Sequence, residues 1–143
     1  MCGGTDRGNV APRWCCWAGH AAAVWAALFA APHLWWAFGI STGFPGGSDG
    51  WRAARAVPWF VAYDLLIVVL SCAAALVALA TVRRWTGGTL LAWGACGLLL
   101  SRGIAGLVVD GLSDLVWSPM FVAGGLLFAV TAWGCGRLAH GAG

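Results

Sequence analysis

The sequence predicts an all-α fold, an integral membrane four-helix bundle, from its composition and the length of its apolar runs. Of its 143 residues, 61% are hydrophobic and only 9% are charged, whereas a soluble domain carries about 25% charged residues. Four apolar runs are each long enough to cross the ~30 Å hydrocarbon layer as a helix. None of them shows the alternation that barrel strands need, so helices are the expected spans.

The four predicted spans cover residues 14–39, 58–82, 88–109 and 117–136. The second contains Asp64, the third contains Arg102, and the first and fourth contain neither Asp nor Arg. Glycine and proline predict loops in between, with a long one at 40–57, a tight turn at 83–88 and a short acidic one at 110–114. Residues 1–13 are predicted to be a loose cytoplasmic tail, and residues 14–143 a single transmembrane domain.

The placement of arginine predicts that both termini lie in the cytoplasm. With four spans, the amino-terminal tail, the middle turn and the carboxyl terminus share one side, which holds five arginines against two on the other. Cytoplasmic loops are enriched in positive charge. Tryptophans gather near both predicted boundaries, and Trp35 and Trp36 are expected to be anchors at the outer one. Because the chain has neither Lys nor Glu, as is typical of GC-rich bacterial genomes, we expect a multi-pass protein of the bacterial inner membrane.

One ionisable residue in each of the first three spans lies at nearly the same predicted depth. His33 and Asp64 are each six residues from the outer end of their span, and Arg102 is seven, which corresponds to roughly 9–11 Å. Charges within lipid cost several kcal/mol, so they normally face the bundle interior and pair with one another. The sequence predicts an Asp64–Arg102 ion pair with His33 beside it, and Tyr63 is a further hydrogen-bonding candidate.

Two interpretations of this cluster stay open. It can be a structural pin that fixes how the helices meet, or a site that binds a ligand, a proton or a lipid headgroup. No catalytic residue, metal ligand or cofactor is predicted. Haem needs two histidines that face each other from different helices, whereas His20 and His33 share the first span and His140 lies beyond the last. No glycine-rich phosphate loop or nucleophile elbow is present.

The six cysteines are expected to be inert packing residues. No two of them have C-x-x-C spacing, which counts against a zinc site, a redox motif or a quinone-linked disulfide enzyme of the four-helix membrane type. Five fall inside the predicted apolar runs, where a free cysteine behaves as a small hydrophobic residue. The basic residues are dispersed rather than clustered, so nucleic acid is not expected as a partner.

The stretch HLWWAFG resembles the motif H-x-[YW]-W-A-x-G-G of DUF3995, a family of small bacterial membrane proteins. His33, Trp36, Ala37 and Gly39 match the motif, and Ile40 stands at its second glycine. The family also has an arginine in a late helix, an acidic loop and an aromatic-Ser-Pro sequence; the corresponding residues here are Arg102, Asp110 or Asp114, Trp117, Ser118 and Pro119. The resemblance covers residues 14–138. It implies four helices and a bacterial membrane, but no activity.

Three classes of function follow from these observations. The leading hypothesis is a non-enzymatic membrane protein, such as an accessory protein or a scaffold. The second is a small proton- or solute-linked transporter that uses His33, Asp64 and Arg102. The third is a membrane enzyme that acts on a lipid or a quinone. The expected partner is the lipid bilayer, and a homodimer or a membrane partner protein is left open.

Overall fold

The computed structural model describes residues 13–83, 85–109 and 116–140, and this part of the chain is helical without strands. Its five helices are α1 (Arg13–Ala37), α2 (Gly47–Arg55), α3 (Phe60–Val82), α4 (Thr86–Val109) and α5 (Trp117–His140). All except α2 are long and apolar enough to cross a membrane. The predicted fold class is confirmed. Of the predicted tail at residues 1–13, Arg13 begins α1, and residues 1–12 lie outside the described residues, as does the acidic loop with Asp110 and Asp114.

The carboxyl end of α1 is set by a glycine. The helix ends at Ala37, two residues before the predicted boundary, because Gly39 adopts a left-handed φ of 96°. Its N–H donates to the carbonyl of Trp36 at 3.1 Å, and the N–H of Ile40 donates to the carbonyl of Trp35 at 2.9 Å. These two bonds form a Schellman motif, in which glycine avoids the penalty that a Cβ would cause.

Helix α2 corrects the prediction of a loop at residues 40–57. It covers Gly47–Arg55 and begins after Gly46, whose φ of 80° is left-handed. The glycines therefore form the turn that starts the helix rather than the interior of a loop. Asp49 lies in the first turn, and Arg52 and Arg55 lie in the last, so these charges complement the helix dipole.

The other helix boundaries also differ from the prediction at several ends. Helix α3 begins at Phe60 rather than at Pro58, and α5 continues to His140 rather than ending at residue 136. Helix α4 begins at Thr86, so Gly88 lies inside it instead of in a turn. A Cβ on Gly88 would come within 3.0 Å of the backbone nitrogen of Thr81. The glycine therefore permits the close approach of α4 to the end of α3.

Packing divides the chain into two compact units. The central unit, Val24–Ala75, contains the second part of α1, all of α2 and most of α3. The terminal unit, Met1–Ala23 with Leu76–Gly143, contains the start of α1, the end of α3, and α4 and α5.

Close helix contacts in the terminal unit depend on small residues. A Cβ on Gly103 of α4 would lie 2.9 Å from the carbonyl oxygen of Ser118 in α5. A Cβ on Gly134 of α5 would lie 2.3 Å from the ring of Trp14 in α1. Small residues allow membrane helices to approach closely and gain van der Waals contact.

A disulfide bond in the terminal unit contradicts the expectation that the cysteines are inert. Cys15 and Cys135 are bonded, with a Cα–Cα distance of 6.0 Å and a sequence separation of 120 residues. Such a pairing has no spacing signal that a single sequence could reveal. Cys16 is also disulfide-bonded, whereas Cys72 and Cys96 are free.

Helix α3 presents a large apolar surface. Leu66, Val69, Leu70 and Leu76 are each more than half exposed. In water, a contiguous exposed apolar surface of this kind would promote aggregation, whereas in a bilayer a lipid-facing helix requires such a surface. With four such helices, the chain is a multi-pass membrane protein.

Candidate functional site

Two of the predicted site residues meet in the central unit. His33 of α1 and Asp64 of α3 form a hydrogen bond of 2.8 Å between Nδ1 and Oδ1. With its proton on Nδ1, the imidazole donates and the carboxylate accepts. This bond joins two helices through residues that are 31 positions apart in sequence, and it leaves Nε2 of the histidine for a second partner.

Asp64 is buried but only partly satisfied. Its side chain is 2% exposed, and its second oxygen, Oδ2, has no hydrogen-bond partner within the described residues. An ionised carboxylate away from water normally requires a counter-charge and several hydrogen bonds. Here the described residues provide one partner, so Oδ2 is an acceptor whose donor is not among them.

His33 lies between aromatic rings as well as against the carboxylate. The centroid of its imidazole is 5.2 Å from that of Phe29 and 5.0 Å from that of Trp36. Such rings attract a cation through their negative faces. The side chain of His33 is 12% exposed, so one part of the ring is not sealed by protein.

Trp36 supports this site instead of anchoring the helix in lipid. It is only 4% exposed, and its indole N–H donates to the carbonyl of Thr42 at 3.2 Å. Its ring also lies 5.0 Å from that of Phe44. The expectation of a lipid anchor is therefore wrong for Trp36, although Trp35 is 52% exposed, as a lipid anchor should be.

The helix ends set the depth of the pair. His33 lies four residues before the end of α1 at Ala37, and Asp64 lies four residues after the start of α3 at Phe60. This places both about 6 Å from the helix ends, nearer than the predicted 9–11 Å, because both helices are shorter at this end. Pro32 lies inside α1 and cannot donate to the preceding turn.

The two other predicted site residues, Tyr63 and Arg102, each lie beside an aromatic ring. Tyr63 is 49% exposed, and its ring lies 6.3 Å from that of Trp59. Arg102 belongs to the terminal unit, where its guanidinium lies 5.3 Å from the centroid of the Phe121 ring. The predicted pairing of Arg102 with Asp64 stays a prediction.

The residues of the motif that resembles DUF3995 fall into two groups. In the central unit, His33 and Trp36 form the site, while Ala37 and Gly39 form the end of α1. In the terminal unit, α5 begins with Trp117, Ser118 and Pro119. Ser118 is fully buried, and proline is tolerated in a first helical turn.

Sequence reasoning missed the ring of Phe29, which lies beside His33. Its spacing is the available signal, because residues four apart lie on the same helix face.

The described residues contain no group of three His, Cys, Asp or Glu side chains that could hold a metal ion.

Comparisons of the chain with protein-family models, with curated proteins and with solved structures find no match.

The chemistry open to the pair is the exchange of a proton. An imidazole whose Nδ1 is held by a carboxylate can accept or release a proton at Nε2. The same arrangement can serve a general base. Within the described residues, however, the only hydrogen bond of the His33 side chain is to Asp64, so no nucleophile is held against it.

Proposed function

We propose that this chain is a bacterial inner-membrane protein in which the His33–Asp64 pair binds and releases a proton, as part of a small proton-linked carrier. The observation that carries the proposal is a buried carboxylate with one oxygen hydrogen-bonded to an imidazole and the other without a partner among the described residues. A purely structural pin gains most when both oxygens are satisfied.

The location of the pair within candidate membrane spans supports a proton-linked role. Both residues lie in helices that can span a membrane, and ionisable residues there are expensive and mark proton relays and ion pathways.

Arg102 stays in this proposal as a candidate for ligand or proton binding. Its support comes from the sequence, where it lies at a depth similar to that of His33 and Asp64. Tyr63 is not included, since its half-exposed ring lies against Trp59.

The orientation and relationship of the chain are further parts of the proposal. The excess of arginine on one side supports cytoplasmic termini. The motif residues support a relationship to DUF3995, since His33 and Trp36 lie at the site and Gly39 ends the helix that carries them.

The proton site can be tested by infrared difference spectroscopy on the purified protein in lipid. The wild-type chain should show a carboxyl band that changes with pH, and the band should be absent in Asp64→Asn and shifted in His33→Gln. Asp49→Asn is the matched control because that carboxylate is exposed and paired with Arg52. If the wild type and Asp64→Asn give the same band, Asp64 does not bind the proton.

The carrier function needs a second measurement. In liposomes that hold a pH-sensitive dye, an imposed membrane potential should drive proton flux through the wild type and the Asp49→Asn variant. Asp64→Asn should reduce this flux to the level of empty liposomes. A wild-type flux no greater than that of empty liposomes would favour the non-enzymatic scaffold instead.

A further inference from the structure

Helix α2 is held at the end of a candidate span, close to where lipid headgroups lie. Only residues 56–59 separate it from α3. The N–H of Val57 donates to the carbonyl of Ala54, and the N–H of Phe60 donates to the carbonyl of Val57, so the chain turns directly from α2 into α3. No residue of α2 is buried. With α3 crossing a bilayer, α2 faces the headgroup layer.

The two arginines of α2 differ in how they are partnered. The guanidinium of Arg52 is paired with the carboxylate of Asp49 and donates to the carbonyl of Ser48 at 3.4 Å. The guanidinium of Arg55 lies over the ring of Trp51, 5.2 Å from its centroid. Within the described residues, Arg55 has no carboxylate partner and makes no hydrogen bond. Its exposed N–H groups are therefore available to an external acceptor.

The position of Arg55 is defined on a second side by the end of α1. A Cβ on Gly39 would lie 2.9 Å from Nη1 of Arg55, so the guanidinium rests against the glycine that closes that helix. The last carbonyls of a helix carry partial negative charge, and the ring of Trp51 attracts a cation. Together they hold the guanidinium in place without using up its five N–H donors.

We propose that Arg55 binds the phosphate of an anionic phospholipid, with Trp51 as the platform that orients the guanidinium. Guanidinium groups bind phosphate through two parallel hydrogen bonds. Helix α2 carries two arginines and one aspartate, a net charge of +1 that complements an anionic headgroup. The indole N–H of Trp51 also has no acceptor in the part of the chain that the structure describes, but that nitrogen is covered by protein, so Arg55 supplies the contact.

Native mass spectrometry of the full chain, titrated with phosphatidylglycerol or phosphatidylcholine, tests this site. The wild type should bind phosphatidylglycerol preferentially. Arg55→Gln should weaken that binding about fivefold, as expected for one arginine at an anionic surface, and Trp51→Leu should weaken it in the same direction. Arg52→Gln is the matched control on the same helix and should change the affinity by less than about twofold, because Asp49 already neutralises that charge.

Three outcomes would overturn the proposal. Equal losses of phosphatidylglycerol affinity in Arg52→Gln and Arg55→Gln would indicate diffuse electrostatic attraction rather than a site at Arg55. Equal binding of phosphatidylglycerol and phosphatidylcholine would show that the protein has no preference for an anionic lipid. Full competition by inorganic phosphate would identify a free anion as the ligand. Melting temperatures in phosphatidylcholine check that each variant folds. If Arg55→Gln does not fold, Arg55→Lys provides the test, because it keeps the charge and loses the two-pronged geometry.

Discussion

Replacing His33 with leucine would leave Asp64 as a buried carboxylate with no hydrogen-bond partner among the described residues, because Oδ2 already lacks one. A hydrogen bond between membrane helices is worth about 0.6 kcal/mol on average, whereas removing one partner of a buried ion pair costs about 3–5 kcal/mol. We expect the larger effect, a loss of about 3 kcal/mol in the free energy of unfolding, because the stranded group carries a charge.

A second substitution separates the cost of the stranded charge from the loss of packing. Asp64→Asn keeps a carbonyl that can accept from His33, so it should cost only about 1 kcal/mol. In the double variant, with leucine at 33 and asparagine at 64, no buried charge remains. Its loss should be smaller than the sum of the two single losses by about 2 kcal/mol, within the range measured for residues in contact.

Reversible unfolding in bicelles, followed by circular dichroism, would measure these free energies. Tyr63→Phe is the matched control, because it removes one polar group from the adjacent, half-exposed residue, and it should change stability by less than about 0.5 kcal/mol. Single losses that add to within about 0.5 kcal/mol in the double variant would refute a coupled pair. A loss of only about 0.6 kcal/mol in His33→Leu would refute the stranded charge.

Three further predictions concern packing, the disulfide and orientation. Gly103→Ala should lower the free energy of unfolding by about 1–3 kcal/mol, because the added methyl group overpacks α4 against α5. Gly94→Ala is the control, because a Cβ there would meet nothing within 4 Å, and it should be neutral or stabilising by up to about 1 kcal/mol. Equal changes in the unfolding free energies of the two variants would contradict the close contact at Gly103. Cys135→Ser should lower the unfolding free energy by about 2–4 kcal/mol, and a reductant should lower the melting temperature of the wild type by more than that of the variant, which keeps the disulfide of Cys16. Reporter fusions at Gly143 and Gly47 should be active on the cytoplasmic and external sides respectively, and the reverse pattern would overturn the orientation.

The disulfide makes the orientation experiment especially informative. Cys15 and Cys135 lie near the start of α1 and towards the end of α5, at the end of the spans that the arginines assign to the cytoplasm. Disulfides persist in oxidising compartments and are rare in the reducing cytoplasm. The two signals therefore oppose each other, and an external reporter at Gly143 would agree with the disulfide and contradict the arginine count.

The sequence by itself determined the fold class and the positions of the long helices, because burial in lipid is read directly from composition and run length. It also identified His33 and Asp64, since an ionisable residue in an apolar run is costly wherever it points. The Gly and Pro content of residues 40–57 concealed α2. A left-handed glycine can precede a helix, as Gly46 does, or follow one, as Gly39 does, and a single sequence does not distinguish these cases.

Only the tertiary structure decided which groups meet. Two features join residues that are far apart in sequence, namely the 2.8 Å bond from His33 to Asp64 and the Cys15–Cys135 disulfide. The burial of Trp36 depends on which face of α1 turns inward. All faces of an apolar helix are hydrophobic, so the sequence does not indicate which face packs against protein and which contacts lipid. The sequence therefore specifies the position of a residue along the helix better than the rotation of the helix about its axis.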